Sequence, residues 1–464
     1  MCMSEEEKIE DGKETGENEA NEDSGKEARF HKKKSVKIVS RVLAATIALT
    51  GAFFGGFFVH KATLPDGIDS LLWAKKRIQS DYYTDISDEE FFDAVFFGVN
   101  SLLDDYSGYM TEEEYAAAQK KSAGSYSGLA LYFSSKDENG NDRMLVVRVA
   151  GGSPAEEAGI EAGSRIVAFG KNENELTESE KFADFSEFLS PLSAGEKFFV
   201  KELRYPYGAD DARIMEVYKS EFTENYVFYR SSSSAYVYLG KNAEETEKGR
   251  AISALPEDTA YIRLAQFNGN AAKEFDEAMK RFKADGKKRL ILDLRENGGG
   301  DMEILCSIAS YFCKGTNEKR PVVAKAVYKN GDVREFKAAA NRYEDYFGAD
   351  SKAYVLADSG SASASECLIG CMKDYGATDY ENICLSYRAG VAKTFGKGIM
   401  QTTRSRYPWT SEAIKLTTAK ICWPLSGNCI HGRGITTEDG TKSVSENYAG
   451  DEEILSALSA FGII

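Results

Sequence analysis

Histidine is nearly absent from this 464-residue chain: His31, His60 and His431 are the only three, and the first two flank an apolar segment. That excludes a histidine-rich metal site and leaves a histidine-based catalytic triad resting on His431 alone. The cysteines are also uninformative as a framework. Cys2, Cys306, Cys313, Cys367, Cys371, Cys384, Cys422 and Cys429 contain no CxxC, and the seven beyond the apolar segment cannot all pair within one chain. Most read as buried small apolar residues, with one or two disulfides such as Cys422–Cys429 open if the domain is exported. Positive charge is in deficit: the net charge of −16 argues against nucleic-acid binding as the main task. Neither GxGxxG nor GxxxxGK[ST] is present, which weakens any phosphate-cradle reading.

What is there is globular, with 42% hydrophobic and 12% aromatic residues, enough for two or three domains with their own cores. Residues 1–36 are rich in Glu and Asp over their first 30 positions and read as a solvated cytoplasmic tail. Residues 37–61 contain the uncharged run Val42–Val59 (VLAATIALTGAFFGGFFV), about 27 Å long as a helix and thus a membrane anchor. Lys32, Lys33, Lys34, Lys37 and Arg41 before it keep the tail inside, so everything beyond faces out. Residues 62–123 read as helical, with apolar positions at helical spacing and a start at Asp88–Glu90. Residues 124–222 alternate short apolar runs with Gly-rich turns and one small helix introduced by Ser153-Pro154, which suggests a compact β-rich module. From 223 to 464 the pattern is α/β: strands at Ala260–Ala265, Arg289–Leu294, Val322–Tyr328 and Ala353–Ala357, helices at Ala271–Ala284 and Ala364–Tyr375, and a third helix to about Cys313. Ser231–Ser234 reads as a linker, and the apolar end Ile454–Ile464 as a core cap or a homo-oligomer contact.

Three segments could carry chemistry. Ser361-Ala362-Ser363-Ala364-Ser365-Glu366 lies between a strand and a helix, where a serine Oγ sits beside free helix-start amides. Ser363-x-x-Glu366 equally fits a helix capping box, and on this segment alone the cap is the better reading. Lys397 stands between glycines in Thr394-Phe395-Gly396-Lys397-Gly398. Held away from water it would serve as a neutral base near pH 7; in a plain glycine turn it would not. Gln401, four residues on, shares its face if the segment is extended. Asn297-Gly298-Gly299-Gly300 follows an apolar strand and could bring backbone amides close to a substrate, or be an ordinary turn.

Taken in order, these segments resemble the carboxyl-terminal processing peptidases, the tail-specific proteases of serine peptidase family S41. Ser101–Tyr115 is similar to the family's segment before its PDZ domain, and Gly152-Ser153-Pro154-Ala155 with Ala158-Gly159-Ile160 resembles the PDZ motif. LILDLRENGGG (Leu290–Gly300), SASASE (Ser361–Glu366) with Asp374-Tyr375-Gly376, TFGKGIMQ (Thr394–Gln401) and IKLTTAK (Ile414–Lys420) resemble the catalytic blocks. The resemblance implies an S41-type α/β core of crotonase-like fold, with a β-rich PDZ domain before it. It implies Ser363 as nucleophile, Lys397 as general base and Gln401 orienting it. The oxyanion donors would be the amides of Ala364 and of a glycine in the triple run, Gly300 or Gly299, with no metal or cofactor. The implied partners are protein substrates held by their C-terminal tails, with Ser127-Gly128-Leu129-Ala130 as the tail-binding loop. Two departures stand out: Gly163-Ser164 replaces the family's GD turn, and Arg388–Lys393 lengthens the approach to Lys397 and adds a competing lysine. The alternatives are a catalytically inactive PDZ scaffold at the membrane and a hydrolase using His431.

Overall fold

The computed structural model describes residues 66–136, 140–239, 243–315, 319–347, 351–388, 390–407, 412–447 and 451–464, together with 46–48 and 50. The acidic tail and, apart from those four residues, the expected anchor Val42–Val59 lie outside the described residues. Among the described residues no helix is long and apolar enough to cross a membrane.

The chain divides into two compact units at Phe96/Phe97. Helix α1 (Asp66–Asp81) lies in the first, and α2 (Asp88–Asn100) begins there and continues past the division. Ser87 starts α2 as expected for a capping residue: its Oγ accepts the Glu90 amide at 3.1 Å, and Glu90 Oε2 accepts the Ser87 amide at 2.8 Å. Lys75 Nζ reaches Asp88 Oδ1 at 2.5 Å.

The second unit opens with β1 (Gly108–Met110) and α3 (Glu112–Ser122), whose N-cap Thr111 forms a capping box with Glu114. Its β-rich part comprises β2 (Ser125–Gly128), β3 (Leu131–Lys136), β4 (Asp142–Val149), α4 (Pro154–Glu157), β5 (Arg165–Asn172), β6 (Glu175–Glu178), α5 (Phe182–Leu189), β7 (Lys197–Leu203), β8 (Ala212–Tyr218) and β9 (Ser220–Thr223). The sheet order is β3-β4-β5-β7-β8 with β6 on β5, and β2 pairs with β9. Phe169, Phe185, Phe198, Val146 and Val200 fill its core.

The α/β part carries β10 (Val227–Arg230), β11 (Ala235–Leu239), β12 (Glu244–Glu247), β13 (Thr259–Leu264), α6 (Ala271–Ala284), β14 (Arg289–Asp293), α7 (Met302–Ala309), β15 (Val322–Tyr328), β16 (Val333–Lys337), α8 (Tyr343–Tyr346), β17 (Lys352–Ala357), α9 (Ala364–Asp374), β18 (Ile383–Ser386), β19 (Ile399–Ser405), β20 (Ala413–Cys422), β21 (Lys442–Val444) and α10 (Glu452–Ala460). An eight-stranded sheet runs β12-β11-β10-β13-β14-β17-β18-β21. Its pairs from β13 to β21 are parallel. Such strands are covered on both faces and read as continuous apolar runs, as Leu290-Ile291-Leu292 does. Leu290 and Leu292 pack with Phe275, Phe282 and Leu305, while Ile291 packs with Ile252, Leu356, Ile454 and Leu458. The apolar C-terminal helix is therefore a core cap. A second, five-stranded sheet has β20 at its centre, paired with β1, β15 and β19.

Several expectations change. Gly108–Met110 is a strand rather than helix, and Ser231–Ser234 is a tight turn between β10 and β11 with Ser231 buried, not a linker. The helix expected to reach Cys313 ends at Ala309. The cysteines from Cys306 to Cys429 are all free thiols, so Cys422–Cys429 is not a disulfide here; Cys313 and Cys371 bring their Sγ atoms to 2.8 Å.

Candidate active site

Because β13, β14 and β17 are adjacent and parallel, the loops leaving their carboxyl ends emerge side by side, as ligand-binding loops do in open α/β sheets. The loop after β14 holds Asn297–Gly300; the turn after β17 holds Ser363. The two interlock. The Ala362 amide donates to Asn297 O at 2.9 Å, and Ser365 Oγ donates to the same carbonyl at 2.8 Å. A Cβ on Gly299 would come within 2.8 Å of Ala362 O and of the Ala364 nitrogen, so only glycine fits there.

Ser363 sits at φ 57°, ψ −111°, a conformation costly for a residue with a side chain. It is held by Glu366, whose Oε2 accepts the Ser363 amide at 2.9 Å. The same carboxylate accepts Thr394 Oγ1 at 2.6 Å, the Gly396 amide at 2.7 Å and the Lys397 amide at 2.9 Å. Glu366 thus fastens the serine turn to the lysine loop. Burial pushes its carboxyl above the usual range, and these four donors oppose the shift. The sequence disclosed Glu366 only as half a cap, because capping and cross-loop stapling use the same spacing.

Ser363, Lys397, Gln401 and Gly298–Gly300 line one cavity of about 520 Å³. Met110 of β1 and Tyr115, Ala118 and Gln119 of α3 form another wall, a contribution the sequence did not reveal. Burial, then the nearby Lys415 ammonium, holds Lys397 below the ordinary lysine value, while Asp104 and Glu366 pull the other way. Tyr106 lies with its ring centroid 4.4 Å from Lys397 Nζ. Gln401 Nε2 donates to Thr417 Oγ1 at 3.3 Å across the β19–β20 pair.

The Gly299 amide donates to Asn297 Oδ1 at 3.0 Å, so Gly299 is engaged within its own loop. Among the described residues neither the Gly300 nor the Ala364 amide has an acceptor. Lys393 pairs with Thr436, and exposed His431 packs its backbone against Gly398; neither lines the cavity. Among the described residues no cluster of three His, Cys, Asp or Glu could hold a metal. Of the loop Ser127–Ala130, Ser127 and Gly128 pair with Glu221 and Ser220, Leu129 is buried with its carbonyl accepting the Ala155 amide, and Ala130 has φ 63°.

A peptidase family S41 model matches residues 258–439, the span holding the glycine loop, Ser363 and Lys397. That part of the chain is similar to the S41 peptidases. A Staphylococcus aureus (strain bovine RF122 / ET3-1) protein named "Probable CtpA-like serine protease" is 27% identical over 361 residues, 78% of this chain and 62% of that protein. The chain therefore spans less than two thirds of that relative's length. The carboxy-terminal processing protease CtpA of Bacillus subtilis (strain 168) is 28% identical over 391 residues, covering 82% of this chain and 70% of that one. Among solved structures, the photosystem II D1 C-terminal processing protease matches with 24% identity and a TM-score of 0.47, covering 80% of this chain and 86% of its own.

Proposed function

We propose that this chain is a serine endopeptidase that cleaves proteins near their C-termini. The observation that carries the reading is the convergence of Ser363, at positive φ, with half-buried Lys397 and the glycine loop on one cavity. In this reading the neutral Lys397 amine removes the proton of Ser363 Oγ, which attacks the scissile carbonyl. The amides of Gly300 and Ala364 receive the developing oxyanion. The Lys397 ammonium returns its proton to the leaving amine, and the same lysine then activates the water that hydrolyses the acyl-enzyme. Gln401 orients the lysine. No metal or cofactor takes part.

The β-rich part is the tail-binding PDZ domain in this proposal. β3 is the edge of its sheet, and α5 lies beside it through Phe133 against Phe182 and Phe185. An incoming tail would add as a strand along β3, with its carboxylate at Ser127–Ala130. Val42–Val59 anchors the enzyme, with the acidic tail cytoplasmic and the peptidase domain outside.

The test is a folded reporter protein bearing an apolar C-terminal tail, incubated with wild type, Ser363→Ala and Lys397→Ala. Both variants should fold and lose cleavage by about 10³-fold or more. Cleavage by either at the wild-type rate sinks the assignment.

A further inference from the structure

The lengthened segment before Lys397 does not project as a free loop. It closes on itself, with the Arg388 and Val391 amides each donating to the other's carbonyl at 3.0 and 3.1 Å, and it sends the Arg388 side chain inward until 8% is exposed. There the guanidinium meets three carboxylates from three different elements. Nη2 reaches Glu453 Oε1 of α10 at 3.0 Å, Nε reaches Asp358 Oδ2 at 3.3 Å and Nε lies 3.6 Å from Glu296 Oε1.

Each carboxylate has a further job. Asp358 ends the strand path into the serine turn. Its Oδ1 accepts the Glu296 amide at 2.9 Å and the Gly360 amide at 3.0 Å, so one carboxylate clasps the glycine loop and the serine turn. Ser361 completes the clasp: its Oγ donates to Leu294 O at 2.8 Å, and its carbonyl accepts the Phe395 amide of the lysine loop at 3.0 Å. Glu296 sits at φ 57°, and its carboxylate fills the space a Cβ on Gly360 would need. Glu453 is shared with Arg295, whose Nη1 is 2.9 Å away and which is itself paired with Asp293.

Charges therefore alternate through the buried cluster: Asp293, Arg295, Glu453, Arg388, Asp358. Burial and then Asp358 push the Glu296 carboxyl up to about 8, with Arg388 and Arg263 opposing. Tyr261 hydroxyl, on Asp293 Oδ2 at 2.5 Å, closes the far end. Of the cations in this cluster, Arg388 alone is paired with Asp358. Without it the clasp between the two loops would hold a buried, uncompensated charge.

We propose that Arg388 is a positioning residue: it locks the serine turn and the glycine loop into register and ties both to the C-terminal helix, although it lies outside the cavity. The catalytic part of this inference rests on the peptidase reading above. The experiment uses the full chain and two readouts. On the tail-bearing reporter, Arg388→Met should lower kcat about 10- to 100-fold with KM changed less than about threefold, and Arg388→Lys should recover part of the loss. By hydrogen exchange, peptides covering 294–301 and 358–367 should both lose protection in Arg388→Met, while 227–239 should not. An unchanged kcat in a folded variant, or faster exchange confined to 386–393 and 451–460, overturns the proposal. If Arg388→Met does not fold, Arg388→Lys carries the same two readouts, with loosening of both loops expected and wild-type exchange decisive against it. If wild type itself cleaves nothing, the peptidase reading fails, and exchange still decides what Arg388 holds.

Discussion

Two buried glutamates hold two regions of this molecule together, and they do so with different numbers of donors. Glu274 of α6 accepts the amides of Tyr226 and Val227, at the start of β10, on one oxygen at 2.7 and 3.0 Å. Its other oxygen is buried without a hydrogen bond among the described residues. Glu366 of α9 spreads four donors from two loops over both oxygens. Burial pushes both carboxyls up, that of Glu274 to about 8, with only two donors opposing the shift. The two staples thus differ in how many donors answer the buried carboxyl, two in the fold and four at the site, and only the second joins the serine turn to the lysine loop.

The largest expected effect breaks the second staple. Glu366→Ala strands four donors, three of them on the lysine loop, each worth about 1–3 kcal/mol when left unsatisfied, with partial repair by water. Cleavage should fall about 100-fold or more, and urea unfolding should report a loss of about 3–5 kcal/mol. Glu366→Gln keeps the shape but points an NH₂ at donors, so about 2 kcal/mol is expected, with activity still reduced at least tenfold. Wild-type activity in Glu366→Gln would show that the staple serves stability alone.

A smaller effect concerns the electrostatics of the lysine loop. In the proposed mechanism Lys397 loses its proton to act, so activity should rise with pH through its lowered value. Lys415→Met removes a like charge, which raises the Lys397 value and moves the alkaline-rising limb of kcat/KM upward, by less than about one pH unit. A downward shift would mean that Lys415 acts on substrate rather than on Lys397.

Much of this framework was legible because local pattern and tertiary role agree. Arg289–Leu294 reads as an apolar strand and forms one over Arg289–Asp293, and Ala271–Ala284 has the bounds its periodicity gives. Ser153-Pro154 caps the short helix as its residue types require. What the pattern hid are contacts made across long sequence distances. β1 has three residues, too few for any periodicity, and exists because Gly108–Met110 pairs with Ala413–Lys415. Tyr106, just before β1, lies over Lys397 and edge-on to Phe395. The Arg388 cluster draws on Glu296, Asp358 and Glu453, none of which is near another in sequence. Ser363 and Lys397 themselves were singled out by resemblance of their motifs, since a spacing of 34 residues carries no geometry.

The smallest effect sharpens the comparison from the other side. Glu274 is protonated in the folded state up to about pH 8, whereas an unperturbed glutamate releases its proton near 4.5. Between those values the folded state binds more protons than the unfolded one, so the unfolding free energy falls as pH rises through the window and levels off above it. Gln has the shape of the neutral acid and can still accept the Tyr226 and Val227 amides through its oxygen. Glu274→Gln should therefore unfold within about 0.5 kcal/mol of wild type at pH 5. Above pH 8 it should be the more stable of the two, because it has no proton to lose. Urea titrations of both proteins at pH 5, 7 and 9 measure this directly. A Gln variant that is weaker at every pH would mean that Glu274 is charged in the folded state, its two donors sufficing to hold the charge.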